Sequence, residues 1–211
     1  MNKTIAVIAA GGRTGRACVE ALLAAGYHVR AGMRSGKGHA LHHPRLTRWR
    51  CDATKPADIA RLLEGADAVV SMIGHTRRSS ADVQSQATTH CIAYIEAHQP
   101  SMRFISLTGT GVRQPGDHMT VPDWIGNFII GLVDPARVHD GIRHAELLAN
   151  SRINYTVLRV LKLTNGPHEG RVSLTPHGPV ELLTPRARVA AAVIELLGTT
   201  MFDRAMPVIS A

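Results

Sequence analysis

Short apolar runs alternate with amphipathic, helix-type segments along most of the chain, beginning with TIAVIAA at 4–10. Nearly continuous apolar runs of this length predict buried strands, and apolar residues spaced three and four apart predict helices. Further strands are predicted at 28–34, 46–50, 67–74, 103–109, 154–160 and 206–210. Helices are predicted at 14–25, 56–65, 82–98, 137–150 and 185–197.

This alternation predicts one α/β domain over residues 1–211, with a parallel sheet covered by helices on both faces. A chain of 211 residues is long enough to bury a sizeable core. We expect a Rossmann-type, doubly wound sheet, because repeated strand–helix–strand units with right-handed crossovers build that fold.

The first predicted strand runs into the turn Gly11-Gly12-Arg13-Thr14-Gly15 and then into a helix. In dinucleotide-binding turns, glycines let the backbone approach a phosphate that the helix N-terminus binds. Gly12 and Gly15 stand at the second and third glycine positions, but Ala9 or Ala10 stands at the first. Left-handed backbone costs alanine roughly 1–2 kcal/mol. We therefore expect Gly11 to adopt it instead, so that the loop is slightly re-routed.

The end of the second predicted strand favours NADP(H) over NAD(H). NAD-specific folds place an acidic residue there to hold the ribose hydroxyls, whereas this chain has no Asp or Glu from 28 to 51. Arg34 ends the strand, Ser35 and Lys37 follow, and Arg13 can face the same place. A guanidinium binds a 2′-phosphate through two hydrogen bonds. Asp52, after the third strand, either contacts the adenine or holds a turn.

Several segments resemble the atypical short-chain dehydrogenase/reductases with an NAD(P)H-binding domain, including biliverdin reductase B-like and NmrA-like proteins. GGRTGRACVEALLAAGYHVRAGMR is similar to their phosphate loop, first helix and second strand. CDATKPADIARLLEGADAVVSMIG, RFISLTGTGV, AELLANSRINYTVLRVLKLTN and TPRARVAAAVIELL resemble later segments. The resemblance implies a cofactor site lined by Gly12, Arg13, Thr14, Gly15, Arg34, Asp52, Ile73, Gly74 and Thr108, with Gly11 beside them.

The chain departs from the family pattern where catalysis is concerned. Val160 replaces the proline that usually follows Arg159, and Gly109 stands where relatives often carry serine. Typical short-chain reductases use Tyr-x-x-x-Lys on a helix, in which the tyrosine donates a proton and the lysine lowers its pKa. The helix predicted at 137–150 contains neither residue. Tyr155 lies in a predicted strand and is expected in the core.

Other polar residues near the predicted strand ends are candidate catalytic contacts, because ligands bind at the carboxyl ends of parallel strands. Thr108 and Thr110 either hydrogen-bond a substrate oxygen or cap their loop. Lys162 either orients an oxyanion or is simply solvated. A histidine titrates near neutral pH, so His139 or His144 could donate a proton if it faced the nicotinamide, although we favour a chance placement for both.

Residues 113–136, RQPGDHMTVPDWIGNFIIGLVDPA, form an insertion that contains Trp124 and Phe128. Long connections in compact domains are often lids. We expect this one to cover an apolar substrate or to contact a second copy in a homodimer; completing the core is the alternative.

Charge, hydropathy and cysteine content limit the kinds of partner and the cellular location that the sequence predicts. The net charge of +8 is compatible with nucleic acid, but we interpret the densest cluster, HHPRLTRWR at 42–50, as a solvated connection. The apolar run WIGNFIIGLV is too short to span a bilayer, so no membrane partner is predicted. Adjacent histidines such as His42 and His43 rarely complete a metal site, and none is predicted. Three cysteines without metal-like spacing predict a cytoplasmic location.

The leading hypothesis is an NADP(H)-dependent oxidoreductase that reduces a small apolar carbonyl, quinone or flavin-like substrate. The alternative is a non-catalytic, NmrA-like regulatory protein that senses NADP(H), which the missing Tyr–Lys pair favours. A sugar-nucleotide epimerase or dehydratase is a weaker third possibility, because little chain is left for a substrate domain.

Overall fold

The computed structural model describes residues 3–35, 41–76 and 79–210 and contains, within those ranges, ten strands and six helices. The strands are β1 (Thr4–Ile8), β2 (His28–Met33), β3 (Leu46–Arg50), β4 (Ala68–Ser71), β5 (Arg103–Gly109), β6 (Asn154–Val160), β7 (Lys162–Thr164), β8 (Ser173–Thr175), β9 (Leu183–Pro185) and β10 (Val208–Ser210). The helices are α1 (Arg13–Ala24), α2 (Pro56–Leu63), α3 (Val83–His98), α4 (Val121–Val133), α5 (Pro135–Asn150) and α6 (Arg186–Leu197).

The central sheet has the strand order β3-β2-β1-β4-β5-β6-β10-β8. The pairs from β3 to β10 are parallel, and β8 joins β10 antiparallel at the edge. The order 3-2-1-4-5-6 is that of the Rossmann fold, so the predicted fold class is confirmed. The order reverses between β1 and β4, and the crevice at their carboxyl ends is where such folds bind ligands.

Two apolar cores cover the two faces of the sheet. Helices α1 and α6 pack on one face, through side chains such as Leu22 and Val193. Helices α2, α3 and α5 pack on the other, through side chains such as Ile59, Ile95 and Leu148. Tyr155 is buried in this second core, as expected.

The short elements differ most from prediction. The strand expected at 67–74 pairs only over Ala68–Ser71, and the one expected at 206–210 only over Val208–Ser210. Strands β7, β8 and β9 were not predicted, because three residues are too few to show an apolar period. β7 and β9 form their own parallel pair beyond the end of β6.

Arg159 on β6 holds together three loop segments through its buried side chain. It does so although Val160, rather than the usual proline, follows it. Its side chain is 1% exposed and donates to the carbonyl oxygens of Met206 at 2.7 Å, Val112 at 3.1 Å and Pro176 at 2.8 Å. It also donates to Asp117 Oδ1 at 2.8 Å. The guanidinium therefore fixes the start of the insertion against the sheet.

Candidate cofactor and substrate site

The turn after β1 enters the left-handed region at Ala9, where φ is 58°. Gly11 is not among the described residues with positive φ, so the predicted re-routing through Gly11 is wrong. The Gly12 N–H donates to the Ala9 carbonyl oxygen at 2.9 Å, and the Ala10 N–H donates to the Gly32 carbonyl at 3.0 Å. These bonds hold Ala9 in a left-handed conformation that glycine would adopt without strain.

Gly15 and Gly12 allow α1 to approach this turn closely. A Cβ atom on Gly15 would lie 2.3 Å from the Ala9 carbonyl oxygen, and one on Gly12 would lie 3.2 Å from the same oxygen. The N-cap, Gly12, provides no side-chain hydrogen bond, and the first turn of α1 contains no acidic residue. Thr14 is buried in that turn. The backbone N–H groups at this end are therefore suited to an anion.

A cavity of about 480 Å³ lies beside the ends of β2 and β3. Its walls carry four cationic side chains, two carboxylates and an indole: Arg34, Arg50, Lys55, Arg61, Asp52, Asp58 and Trp49. Arg61 forms an ion pair with Asp58, and the Asp52 backbone N–H donates to that carboxylate at 2.9 Å. These two contacts hold the pKa of Asp58 below its usual value. The remaining cations make the cavity favourable for a phosphate.

Asp52 holds a turn and also lines this cavity. Its Oδ1 accepts hydrogen bonds from the Thr54 backbone N–H at 3.2 Å and from Thr54 Oγ1 at 2.8 Å. The turn role that the sequence left open is therefore present, and an adenine contact stays a prediction.

Arg13 has different neighbours from Arg34, and its expected contact with the 2′-phosphate stays a prediction. Arg13 is not among the side chains lining the cavity. Burial lowers the pKa of Arg186, at the start of α6, and the charge of Arg13 lowers it further. Arg13 thus lies toward α6. Lys37 falls outside the described residues.

The proposed catalytic residues gather around the ends of β5 and β6. Thr108 is buried, and its Oγ1 lies 2.9 Å from where a Cβ on Gly141 of α5 would be. Thr110 Oγ1 is 3.1 Å from Asn127 Oδ1 of α4, and the Thr110 backbone N–H donates to the Val160 carbonyl. Lys162 is exposed at the start of β7. Ile73 and Gly74 lie just after β4, the strand that neighbours β5 in the sheet.

His144 is a structural residue, which corrects the idea that it donates a proton near neutral pH. It is fully buried, with Nε2 2.9 Å from Ser106 Oγ and Nδ1 2.7 Å from Thr88 Oγ1. Burial lowers its pKa to about 4, although the charge of Asp140 raises it. His139, by contrast, is exposed on α5.

Sequence reasoning missed a second polar cluster at the same end of the sheet. Asp140 accepts hydrogen bonds from the backbone N–H groups of Gln84 at 2.8 Å and Ser85 at 2.9 Å, and so caps α3. His75, directly after Gly74, places Nε2 2.9 Å from Asp140 Oδ2. No local pattern could have paired these residues, because they come from separate parts of the chain.

The insertion forms helix α4 at this edge of the site. The Thr120 hydroxyl accepts from the Asp123 backbone N–H at 3.3 Å, and the Asp123 carboxylate accepts from the Thr120 N–H at 3.4 Å, which caps the helix start. No helix within the described ranges is both long and apolar enough to cross a bilayer.

The comparisons with known proteins agree with this geometry. The model of a family of NAD(P)H-binding domains matches residues 9–200. No curated protein sequence matches the chain.

Three solved structures share the fold at low identity. A short-chain dehydrogenase/reductase from Veillonella parvula, in complex with NADP, is 17% identical with a TM-score of 0.81, over 100% of this chain and 95% of that one. The anaerobilin reductase ChuY from Escherichia coli O157:H7 is 19% identical with a TM-score of 0.79, over 99% and 97%. A Streptococcus pneumoniae protein provisionally designated an NADH-flavin reductase is 20% identical with a TM-score of 0.76, over 99% of both chains.

Proposed function

The chain belongs to the NAD(P)H-binding family, and on that premise we propose that it is an NADP(H)-dependent oxidoreductase. Its substrate would be a small apolar carbonyl, quinone or flavin-like compound. The observation that carries the proposal is the combination of a phosphate-binding turn at α1 with a cationic cavity at the ends of β2 and β3.

The described residues fit a dinucleotide that carries an extra phosphate. Gly12 and Gly15 let the start of α1 pack closely on the turn at Ala9, which is the arrangement that presents the first N–H groups of a helix to a diphosphate. Arg34, with Arg50 in the same cavity wall, would bind the 2′-phosphate, because a guanidinium forms two parallel hydrogen bonds to it.

The nicotinamide end of the bound cofactor would lie beyond the carboxyl ends of β4 and β5. The nicotinamide ring supplies a hydride when the cofactor is bound. Thr108 and Thr110 would position the substrate oxygen, and Lys162 would steady negative charge there. His75, held in place by Asp140, is an added candidate for a polar contact with the substrate. A threonine hydroxyl is a weak acid, so the rate would rest largely on orientation, which can contribute about 7–11 kcal/mol.

The similar structures support the proposed substrate class, and the cysteines support the proposed cellular location. Two of the similar structures carry names that refer to the reduction of a flavin or of anaerobilin, which supports a reductase and the flavin-like member of the proposed substrate class. Cys18, Cys51 and Cys91 are unpaired thiols in buried positions, which supports a cytoplasmic setting.

The cofactor preference is tested by fluorescence titration with NADPH and NADH. We expect NADPH to bind at least about tenfold more tightly, a difference of about 1.4 kcal/mol. Arg34→Ala should weaken NADPH far more than NADH, because only NADPH carries the 2′-phosphate. Arg152→Ala, which removes an exposed guanidinium just before the amino end of β6, is the matched control and should change neither affinity.

Two results would contradict this assignment. Equal affinities for both cofactors would remove the preference for NADP(H). An equal loss of both in Arg34→Ala would mean that Arg34 does not contact the 2′-phosphate.

Turnover separates the enzyme from the NADP(H)-sensing alternative, which the absence of Tyr and Lys from α5 favours. We expect NADPH to be oxidised in the presence of at least one member of a panel of quinones, flavins and aldehydes. Thr110→Val should then lower kcat more than it weakens NADPH binding. Tight NADPH binding without oxidation by any panel member would favour the regulatory protein instead.

A further inference from the structure

Helix α4 turns an apolar face to solvent. Seven of its side chains are between 46% and 78% exposed: Val121, Trp124, Ile125, Phe128, Ile129, Leu132 and Val133. Their spacing of three and four residues places them along one side of the helix, and we call this set the α4 stripe. Trp124 and Phe128 stack on each other within it, with ring centroids 5.7 Å apart.

The opposite face of α4 is the one that contacts the rest of the chain. Asp123 is 3% exposed, and Asn127 bonds to Thr110 at the end of β5. A Cβ on Gly126 would lie 3.1 Å from Leu161 Cδ1, so the helix backbone sits close to the domain. Because polar and small residues occupy the inner side, the stripe cannot cover the domain's own site unless the helix rolls over.

We propose that the α4 stripes of two copies of this chain pack against each other across a twofold axis. All seven side chains are close to half exposed or more, so the stripe forms one continuous apolar patch along the length of α4. Exposed apolar patches of that extent mark interaction sites in water-soluble proteins.

The charge distribution fits a second copy. Asp123 is the only charged residue of α4, and it is buried on the inner side, so the stripe is uncharged along its whole length. A twofold interface brings identical patches together, and an uncharged apolar patch meets itself without repulsion.

The same distribution disfavours a lipid surface as the occupant. Helices that lie in a membrane interface usually carry Lys or Arg beside the apolar face. Helix α4 has neither, and the nearby Arg137 is paired with Asp134 at 3.1 Å.

The proposal goes beyond the proposed function and does not depend on it. It does bear on the substrate end of the site, since α4 carries Asn127, which bonds to Thr110. Pairing of the stripes would hold α4 in place over the end of β5 in both copies.

Sedimentation equilibrium of the full chain tests the oligomeric state. We expect a mass of twice 22.7 kDa at micromolar concentrations. Phe128→Glu, near the middle of the stripe, should reduce the mass to 22.7 kDa, because it would bury a charge against its own symmetry mate. Met201→Glu is the matched control, since Met201 is 78% exposed outside α4, and it should remain dimeric. Circular dichroism checks that both variants are folded.

Cross-linking locates the contact without relying on a disruptive variant. The three native cysteines are buried, and burial raises the pKa of Cys18 to about 12, so they should react slowly. A short bifunctional maleimide should therefore link Phe128→Cys into dimers and leave Met201→Cys monomeric.

Three outcomes would overturn the proposal. A mass of 22.7 kDa at every concentration would exclude self-association. A dimer that survives Phe128→Glu without linking through Phe128→Cys would place the interface elsewhere. A monomer that co-sediments with phosphatidylcholine–phosphatidylserine vesicles, and loses this in Phe128→Glu, would assign the stripe to a lipid surface.

Discussion

Ala9 occupies a left-handed backbone conformation, with φ 58°, in the turn between β1 and α1. Alanine pays roughly 1–2 kcal/mol there because its Cβ approaches the following carbonyl, whereas glycine has no such contact. Hydrogen bonds from the Gly12 and Ala10 N–H groups maintain the turn despite this cost. The strain is therefore local to one methyl group.

Ala9→Gly should raise the free energy of unfolding by about 0.5–1 kcal/mol, since relief of the left-handed strain exceeds the extra chain entropy of glycine. Urea denaturation measures the change. The control Ala10→Gly should be destabilising, because Ala10 is fully buried and has no positive φ to relieve. A loss of stability in Ala9→Gly would contradict the conformation described for Ala9.

Some site residues were predictable and others were not. Arg34 could be placed at the edge of the sheet, beside the cavity, from the sequence because it directly follows a clear strand. The burial of His144 also had a signal, since Gly141, His144, Ala145 and Leu148 recur at helical spacing and are all buried. His75 had no such signal, because its partner Asp140 lies on a distant helix.

At the scale of elements, a buried polar network joins α3, α5 and β5. His144 on α5 contacts Thr88 on α3 and Ser106 on β5, and Asp140, one turn earlier on α5, caps the start of α3. Each contact satisfies a polar group that would otherwise be costly to bury. The network therefore sets the position of α5 against the sheet where Thr108 faces Gly141.

The network should make stability depend on pH through His144. Its pKa in the folded chain is about 4, below the ordinary value of 6.5, so between these values the unfolded chain binds a proton that the folded chain does not. The stability due to neutral His144 is complete above about pH 6.5 and is lost as the pH falls to about 4, a loss of roughly 3 kcal/mol.

Chemical denaturation between pH 7 and pH 4 measures this loss. His144→Gln should show a flatter decline of the unfolding free energy than the unchanged chain, because glutamine does not titrate. His139→Gln replaces an exposed histidine on the same helix and should leave the decline unchanged. Parallel pH curves for His144→Gln and the unchanged chain would exclude this role for His144.

The long strands and helices could be predicted from the spacing of apolar residues in the sequence, and the short strands could not. Strand β5 has six consecutive buried residues and was predicted with the bounds that the structure shows. Helix α4 shows the limit of such a pattern, because its apolar residues suggested a lid, a contact with a second copy or completion of the core, and they lie on the solvent side. An apolar period indicates that a face will be covered, but the sequence does not say which molecule covers it.

For the whole molecule, the alternation of strands and helices was enough to predict the parallel sheet and its reversal between β1 and β4. It did not predict that β10 lies between β6 and β8. That placement depends on where the long connection after β6 returns to the sheet. The contacts of buried Arg159 with Met206 and Pro176 help to fix that return, and no strand pattern in the sequence shows it.

The position of β10 has a consequence for synthesis on the ribosome. β6 pairs with β10 on one side, and the N–H groups of Val157 and Arg159 donate to the carbonyls of Ala205 and Pro207. Until those later residues leave the exit tunnel, one edge of β6 has no neighbour, and such edges promote association between nascent chains. Translation speed and chaperone access while the connection from β6 to β10 is being synthesised should therefore affect how much of the protein is recovered in native form.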